Sequence, residues 1–268
     1  MSGARDPLYV EARAALLDAL DALKPHLEAL VLVGAQAIYL HTGDSDFGGA
    51  EYTTDADLSI SPQLLSDSPL LGELLDRANF IALPQPGAWM SPKGVHIDLM
   101  VSEALVGPGS RAARLGVHGK QAARRAKGLE GALFDRKLFN LSALEPADHR
   151  EVEVWVAGPG ALLVAKTHKI AERRGNPNRI RDKDALDVLR LLRAVETEEM
   201  RDCLVYLLTS GVATDVTREA IDLLPVIFGG RNTEGVAMAV RAAGPLEDPE
   251  IIAASLVALV DDVLRAMS

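Results

Sequence analysis

The feature that most constrains this chain is a change of hydrophobic period near residue 158. From Pro159 onward, apolar residues recur at helical spacing in six stretches: 159–173, 182–194, 197–209, 215–228, 233–243 and 249–267. Gly or Pro breaks separate several of them. Before that point short apolar runs alternate with helical ones. Residues 6–28 read as a helix, with Asp6 able to cap it, Pro7 in its first turn, and Leu16, Leu20, Leu23 and Leu27 in register. Strands are expected at 29–33, 57–61, 80–83, 95–101 and 151–156, and helices at 35–41 and 69–79. A loop rich in Gly, Asp and Ser falls at 43–51. A Pro/Gly-rich loop carries Trp89, and 104–131 is polar and Gly-rich. The expectation is an α+β chain. A mixed sheet with flanking helices occupies 1–157, and a helical bundle occupies 158–268.

Within the first region, Thr53, Thr54, Asp55, Ala56, Asp57 and Leu58 follow one another. Two carboxylates two apart on an extended segment point to the same side. Such a pair repels unless a cation lies between its members. Mg²⁺ suits that place, because it takes one or two carboxylates together with phosphate oxygens. A third acid, Asp98, stands inside the apolar run from Val95 to Val101, where a carboxylate without a partner is costly. If these strands are neighbours, Asp55, Asp57 and Asp98 converge as a metal set. The plainer alternative is a solvated turn. Against it, Leu58, Ser59 and Ile60 lead the pair straight into a strand, and a Gly34-headed segment stands about twenty residues upstream.

Bulk properties narrow the function classes. The chain has 268 residues, 48% of them hydrophobic, enough for a large core. No apolar run is long enough to span a membrane. No basic stretch followed by an apolar one opens the sequence, so no secretory signal is expected. Cys203 is the one cysteine, which excludes an internal disulfide and a cysteine-cluster zinc site. A cytoplasmic location is the expectation. The net charge of −10 is unlike that of a protein that coats nucleic acid nonspecifically.

Gly34, Ala35, Asp55, Asp57 and Asp98 together resemble the DNA polymerase β type nucleotidyltransferase fold. In that fold a Gly-Ser pair opens a helix whose backbone cradles a triphosphate, and helix N-termini favour anions. The resemblance implies that Gly34, Ala35 and Thr54 bind the nucleotide. Ala35 stands where the family usually has Ser, so one hydroxyl contact is absent or supplied elsewhere. The spacer is longer than usual, with 44–51 looking like an insertion.

A second constellation follows. Lys166, Lys169 and Arg173 fall at i, i+3 and i+7, one face of a helix, ahead of Lys183, Asp184 and Asp187. Such a face could meet a triphosphate, and Asp184 could orient one of its cations or act as a base. An ordinary charged helix surface is the alternative. The pattern resembles the AbiEii-like and MenT-like nucleotidyltransferases, where Lys-x-x-(Ala or Lys)-x-x-x-Arg precedes (Arg or Lys)-Asp-x-x-Asp-Leu. Val188 replaces the final Leu. The resemblance covers about residues 30–192.

What the resemblance implies is transfer of a nucleotide from a nucleoside triphosphate, with Mg²⁺ or Mn²⁺ as the ion. In the toxin branch the acceptor is tRNA and the partner an antitoxin protein. Asp55 and Asp57 would hold a metal, with Asp98 as a further ligand or as the base. Lys166 would contact the triphosphate. Catalytic parts are thus expected for Asp55, Asp57, Asp98, Lys166 and Asp184, and nucleotide contacts for Gly34, Ala35, Thr54, Lys169 and Arg173. The basic segment 111–127, with Arg111, Arg114, Lys120, Arg124, Arg125 and Lys127, reads either as an RNA patch or as a solvated loop. It has no interleaved aromatic residues for base stacking. None of the six histidines has zincin spacing. Rival readings are transfer to a small molecule or a protein, and a noncatalytic nucleotide-binding module.

Overall fold

The structure, a computed structural model, describes residues 6–43, 52–174 and 181–268. Apart from Gly43, the loop expected at 43–51 lies outside the described residues. The chain forms two compact units. One comprises Met1–Gln36, Tyr52–Ala126 and Arg136–Ala157. The other comprises Ala37–Glu51, Lys127–Asp135 and Gly158–Ser268.

The first unit opens with α1 (Pro7–Ala22), whose first turn is capped by the Asp6 carboxylate accepting from the Leu8 amide. Ala12, Leu16 and Leu20 bury its inner face. The helix stops short of the expected 28. Pro25 lacks an amide hydrogen and crowds the carbonyl one turn back, so the chain tightens into a 3-10 turn at Lys24–Ala29. The fully buried strand β1 (Leu30–Val33) follows and runs directly into helix α2 (Gly34–Thr42). Next come β2 (Asp55–Ile60), α3 (Leu71–Arg77), β3 (Ile81–Ala82), β4 (Ala88–Met90), β5 (His96–Ser102), the single turn α4 (Glu103–Val106), β6 (Ala112–Ala113), β7 (Ala123–Ala126), β8 (Arg136–Ser142) and β9 (Glu151–Ala157).

The strands form one mixed sheet in the order β3-β4-β5-β2-β1-β9-β8, with β7 also on β5 and β6 on β7. β2 runs antiparallel to β1 and parallel to β5. β9 runs parallel to β1 and antiparallel to β8. The loop expected around Trp89 contains a strand, because Trp89 is buried and pairs with Ile97. β8 had no counterpart in the sequence reading. It is bounded on one side by β9, and most of its residues are exposed or half-buried, so no alternation marks it.

The second unit takes in α2 from Ala37 onward and, among the described residues, gathers α5 (Pro159–Arg173), α6 (Lys183–Ala194), α7 (Thr197–Leu208), α8 (Thr214–Phe228), α9 (Glu234–Ala243) and α10 (Pro249–Ala266). α5 lies among α6, α7, α8 and a 3-10 turn at Glu130–Leu133. Its buried Leu162, Leu163, Val164 and Ile170 each contribute about 1.5–3 kcal/mol on leaving water. Its N-terminus is capped from a distance: Asp135 Oδ2 accepts from the Ala161 amide at 2.8 Å. Burial pushes the Asp135 carboxyl up, and that amide bond works against the shift. Among the described residues no helix is long and apolar enough to cross a membrane.

Candidate functional site

The carboxylates lie on the central strands of the sheet. β2 and β5 pair in parallel with Asp55 opposite His96 and Asp57 opposite Asp98, so the third acid stands beside the second. Residues two apart on a strand share a face, so Asp55 and Asp57 point to the same side. Asp55 is exposed, and Asp57 and Asp98 are half-buried.

The approach to Asp57 is shaped by Gly34. It opens α2 with φ +71°, a backbone conformation that L side chains rarely adopt, and a Cβ there would come within 2.2 Å of Asp57 Oδ2. The start of α2 and the Asp57 carboxylate are therefore in direct contact. Two residues along, the buried Gln36 donates from Nε2 to the Asp55 carbonyl at 3.2 Å and accepts from Arg13 Nε at 3.0 Å. Arg13 also donates to the Ser142 carbonyl and to the Tyr9 hydroxyl. The Tyr9 ring stacks on Tyr52 with centroids 5.3 Å apart. Thr53 Oγ1 accepts from the Asp55 amide, and the exposed Thr54 donates from its hydroxyl to Asp55 Oδ1. Thr54, expected at the nucleotide, is thus engaged with the first acid of the pair. Ala35 is buried and brings no polar side-chain atom.

Asp98 has a resident partner. Arg124 donates to its Oδ2 from Nη2 at 2.9 Å and from Nε at 3.3 Å. Burial pushes the Asp98 carboxyl up. Arg124 pulls it down, and the neighbouring charges of Asp57 and Asp55 push it up again, leaving it raised from its ordinary value. The donor set is all carboxylate oxygen, on two adjoining strands, which suits a hard divalent ion. It is not pre-closed: among the described residues no three acidic, histidine or cysteine side chains are gathered into a metal cluster.

The basic segment is less open than its charge suggested. Arg124 is held by Asp98, Arg125 donates to the Ser110 carbonyl, and Lys127 pairs with Glu219. Arg111, Arg114 and Lys120 are exposed.

In the helical unit the second constellation does come together, as a buried ionic network. Lys166 Nζ donates to Asp184 Oδ1 and Asp187 Oδ2, each at 2.7 Å. Arg173 meets Asp184 at 3.0 Å, Lys169 meets it at 3.2 Å, and Arg190 meets Asp187 at 3.1 Å. Both carboxylates are fully enclosed, and so is Lys166, while Lys169 and Arg173 reach the rim. Burial alone would push the Lys166 ammonium down. Asp184 and Asp187 outweigh it and hold it above its usual value. Burial would likewise raise Asp184, and Lys166, Lys169 and Arg173 outweigh it, holding the carboxyl well below the carboxylate range. A carboxylate so strongly held in its charged form is a poor base. Its geometry is that of a residue that orients cations. Lys183 heads α6 without joining these ion pairs, and Asp182 before it pairs with Arg241.

Sequence reasoning missed Arg13, Gln36 and the Asp98 partnership of Arg124. The signals were present but weak: a lone Arg and a lone Gln inside otherwise apolar helical runs, each needing a buried partner. No family model matches the chain, and neither a curated protein nor a solved structure matches it.

Proposed function

We propose that the chain is a metal-dependent nucleotidyltransferase that moves a nucleotide from a nucleoside triphosphate to an acceptor, with pyrophosphate leaving. The observation that carries this reading is the register of β2 and β5, which sets Asp57 against Asp98 while Gly34, at the head of α2, lies against Asp57. Asp55 and Asp57 would hold Mg²⁺ or Mn²⁺, and Asp98 would complete the set or take the acceptor proton. The ion, when bound, would neutralise charge developing on the phosphates. The backbone at the start of α2 would face the anion, as helix N-termini favour. Gln36 and Arg13 would keep the Asp55 strand in position. The parts given to Lys166, Lys169, Arg173 and Asp184 in handling the triphosphate rest on the resemblance to AbiEii-like and MenT-like enzymes. So do a tRNA acceptor and an antitoxin partner.

Engagement of Arg124, Arg125 and Lys127 favours a second reading, in which the acceptor is a small molecule or a protein. The test is incubation with each labelled NTP, Mg²⁺ and total tRNA, beside Asp57→Asn. Labelled RNA that disappears in the variant is the expected result. Label on protein or small molecules alone would move the conclusion to the second reading. No metal-dependent NTP turnover would refute both. If RNA is the acceptor, neutralising Arg111, Arg114 and Lys120 should flatten the salt dependence of its binding.

A further inference from the structure

We propose that Arg124 is a built-in countercation for Asp98 which a divalent ion must displace, so that metal binding and release of the guanidinium are one event. The inference rests on the nucleotidyltransferase reading and adds a regulator to that same site. Both Nε and Nη2 of Arg124 converge on Oδ2 of Asp98, the carboxylate that the register sets beside Asp57. The pair is sheltered, with side-chain exposures of 18% for Arg124 and 29% for Asp98, so salt screens it less than a surface pair. Among the described residues the Arg124 guanidinium has no other hydrogen-bond partner.

The backbone of Arg124 cannot follow a displaced side chain. β7 is clamped on both edges, with Arg124 opposite Met100 of β5 and opposite Ala112 of β6. Only the side chain can swing. A divalent ion that uses Asp98 would face a positive guanidinium on the same oxygen, and like charges at that range repel. Arg124 therefore weakens binding of a bare ion. Once freed, its planar fork matches phosphate oxygens, and an arriving polyphosphate gives it a place to go. Ion and polyphosphate then bind with positive coupling through one side chain.

The test is Mn²⁺ titration by calorimetry or electron paramagnetic resonance, alone and with inorganic pyrophosphate present. Arg124→Gln should bind Mn²⁺ alone about tenfold tighter than wild type, the scale of losing one sheltered charge repulsion. It should also lose most of the gain that pyrophosphate gives wild type. Arg124→Lys keeps the charge and should stay near wild type without pyrophosphate. In an Asp98→Asn background, Arg or Gln at 124 should make no difference. Thermal melts keep the reading clear of folding effects. Unchanged or weaker Mn²⁺ binding by a folded Arg124→Gln, with binding still abolished by Asp57→Asn, overturns the inference alone. No saturable Mn²⁺ binding sensitive to Asp57→Asn, in wild type or variant, overturns the inference and the metal site together.

Discussion

Gly34 and Cys203 show how much a single position can be asked to carry. An added methyl at Gly34 would be strained twice, by a positive φ that costs about 1–2 kcal/mol for an L residue and by overlap with Asp57 Oδ2. Gly34→Ala should therefore lower the melting temperature and, by pushing Asp57 aside, weaken Mn²⁺ binding. A variant as stable as wild type with the same Mn²⁺ affinity would contradict the contact. Cys203 is governed by charge. Burial pushes its thiol up, and the nearby Asp135 carboxylate adds to the shift, to about 11. Roughly one thiol in a thousand is then ionised at pH 8. Alkylation by iodoacetamide should be slow there and rise about tenfold per pH unit until near 11. Asp135→Asn should speed it at pH 8, and mass spectrometry of the modified fraction reads the rate. Both residues could be seen in the sequence, yet their partners could not. Asp55 and Asp57 were readable because period-two spacing reports a shared strand face, and Asp98 because it interrupts an apolar run. Arg13, whose partner Ser142 is 129 residues away, and Arg124, 26 residues from Asp98, depend on approaches that no local pattern encodes.

At the scale of elements, α5 and α6 are joined through ions in an apolar setting. Asp184 is held below its ordinary value, so its stabilising contribution is whole above about pH 4 and is lost as the pH falls through the range where the folded form takes a proton. Asp184→Asn should cost about 3–5 kcal/mol at neutral pH, because three cations lose a shared buried partner. The gap from wild type should narrow as the medium is acidified below pH 4. Urea unfolding at pH 7 and pH 3 measures both, and a gap independent of pH would exclude the assignment. These helices were foreseeable because their apolar faces repeat at helical spacing. β8 was hidden for the opposite reason: at the end of the sheet order it buries little, and its residues carry no alternation. β4 was hidden by its brevity and by the Pro and Gly around it.

For the whole molecule, the units are not two consecutive stretches of chain. The helical unit includes Lys127–Asp135, and Asp135 caps α5 while the Glu130–Leu133 turn packs on it. A fragment of residues 158–268 lacks all of this. It should melt without a cooperative transition, or well below a fragment beginning at residue 127. The lost cap alone is worth about 1 kcal/mol. Circular dichroism of the two fragments decides it: equal helicity and equal melting would show that the turn and the cap are dispensable.

The position of β9 has a consequence for synthesis. It fills the place between β1 and β8, so Leu30–Val33, made early, waits for Glu151–Ala157, made late. Until then the nascent chain carries a wholly apolar strand with one open edge, which invites pairing with the wrong partner. A transcript cut short before residue 151 would yield a sticky remnant instead of a working half. Growth conditions that slow the ribosome in that interval should send more of the product into aggregates.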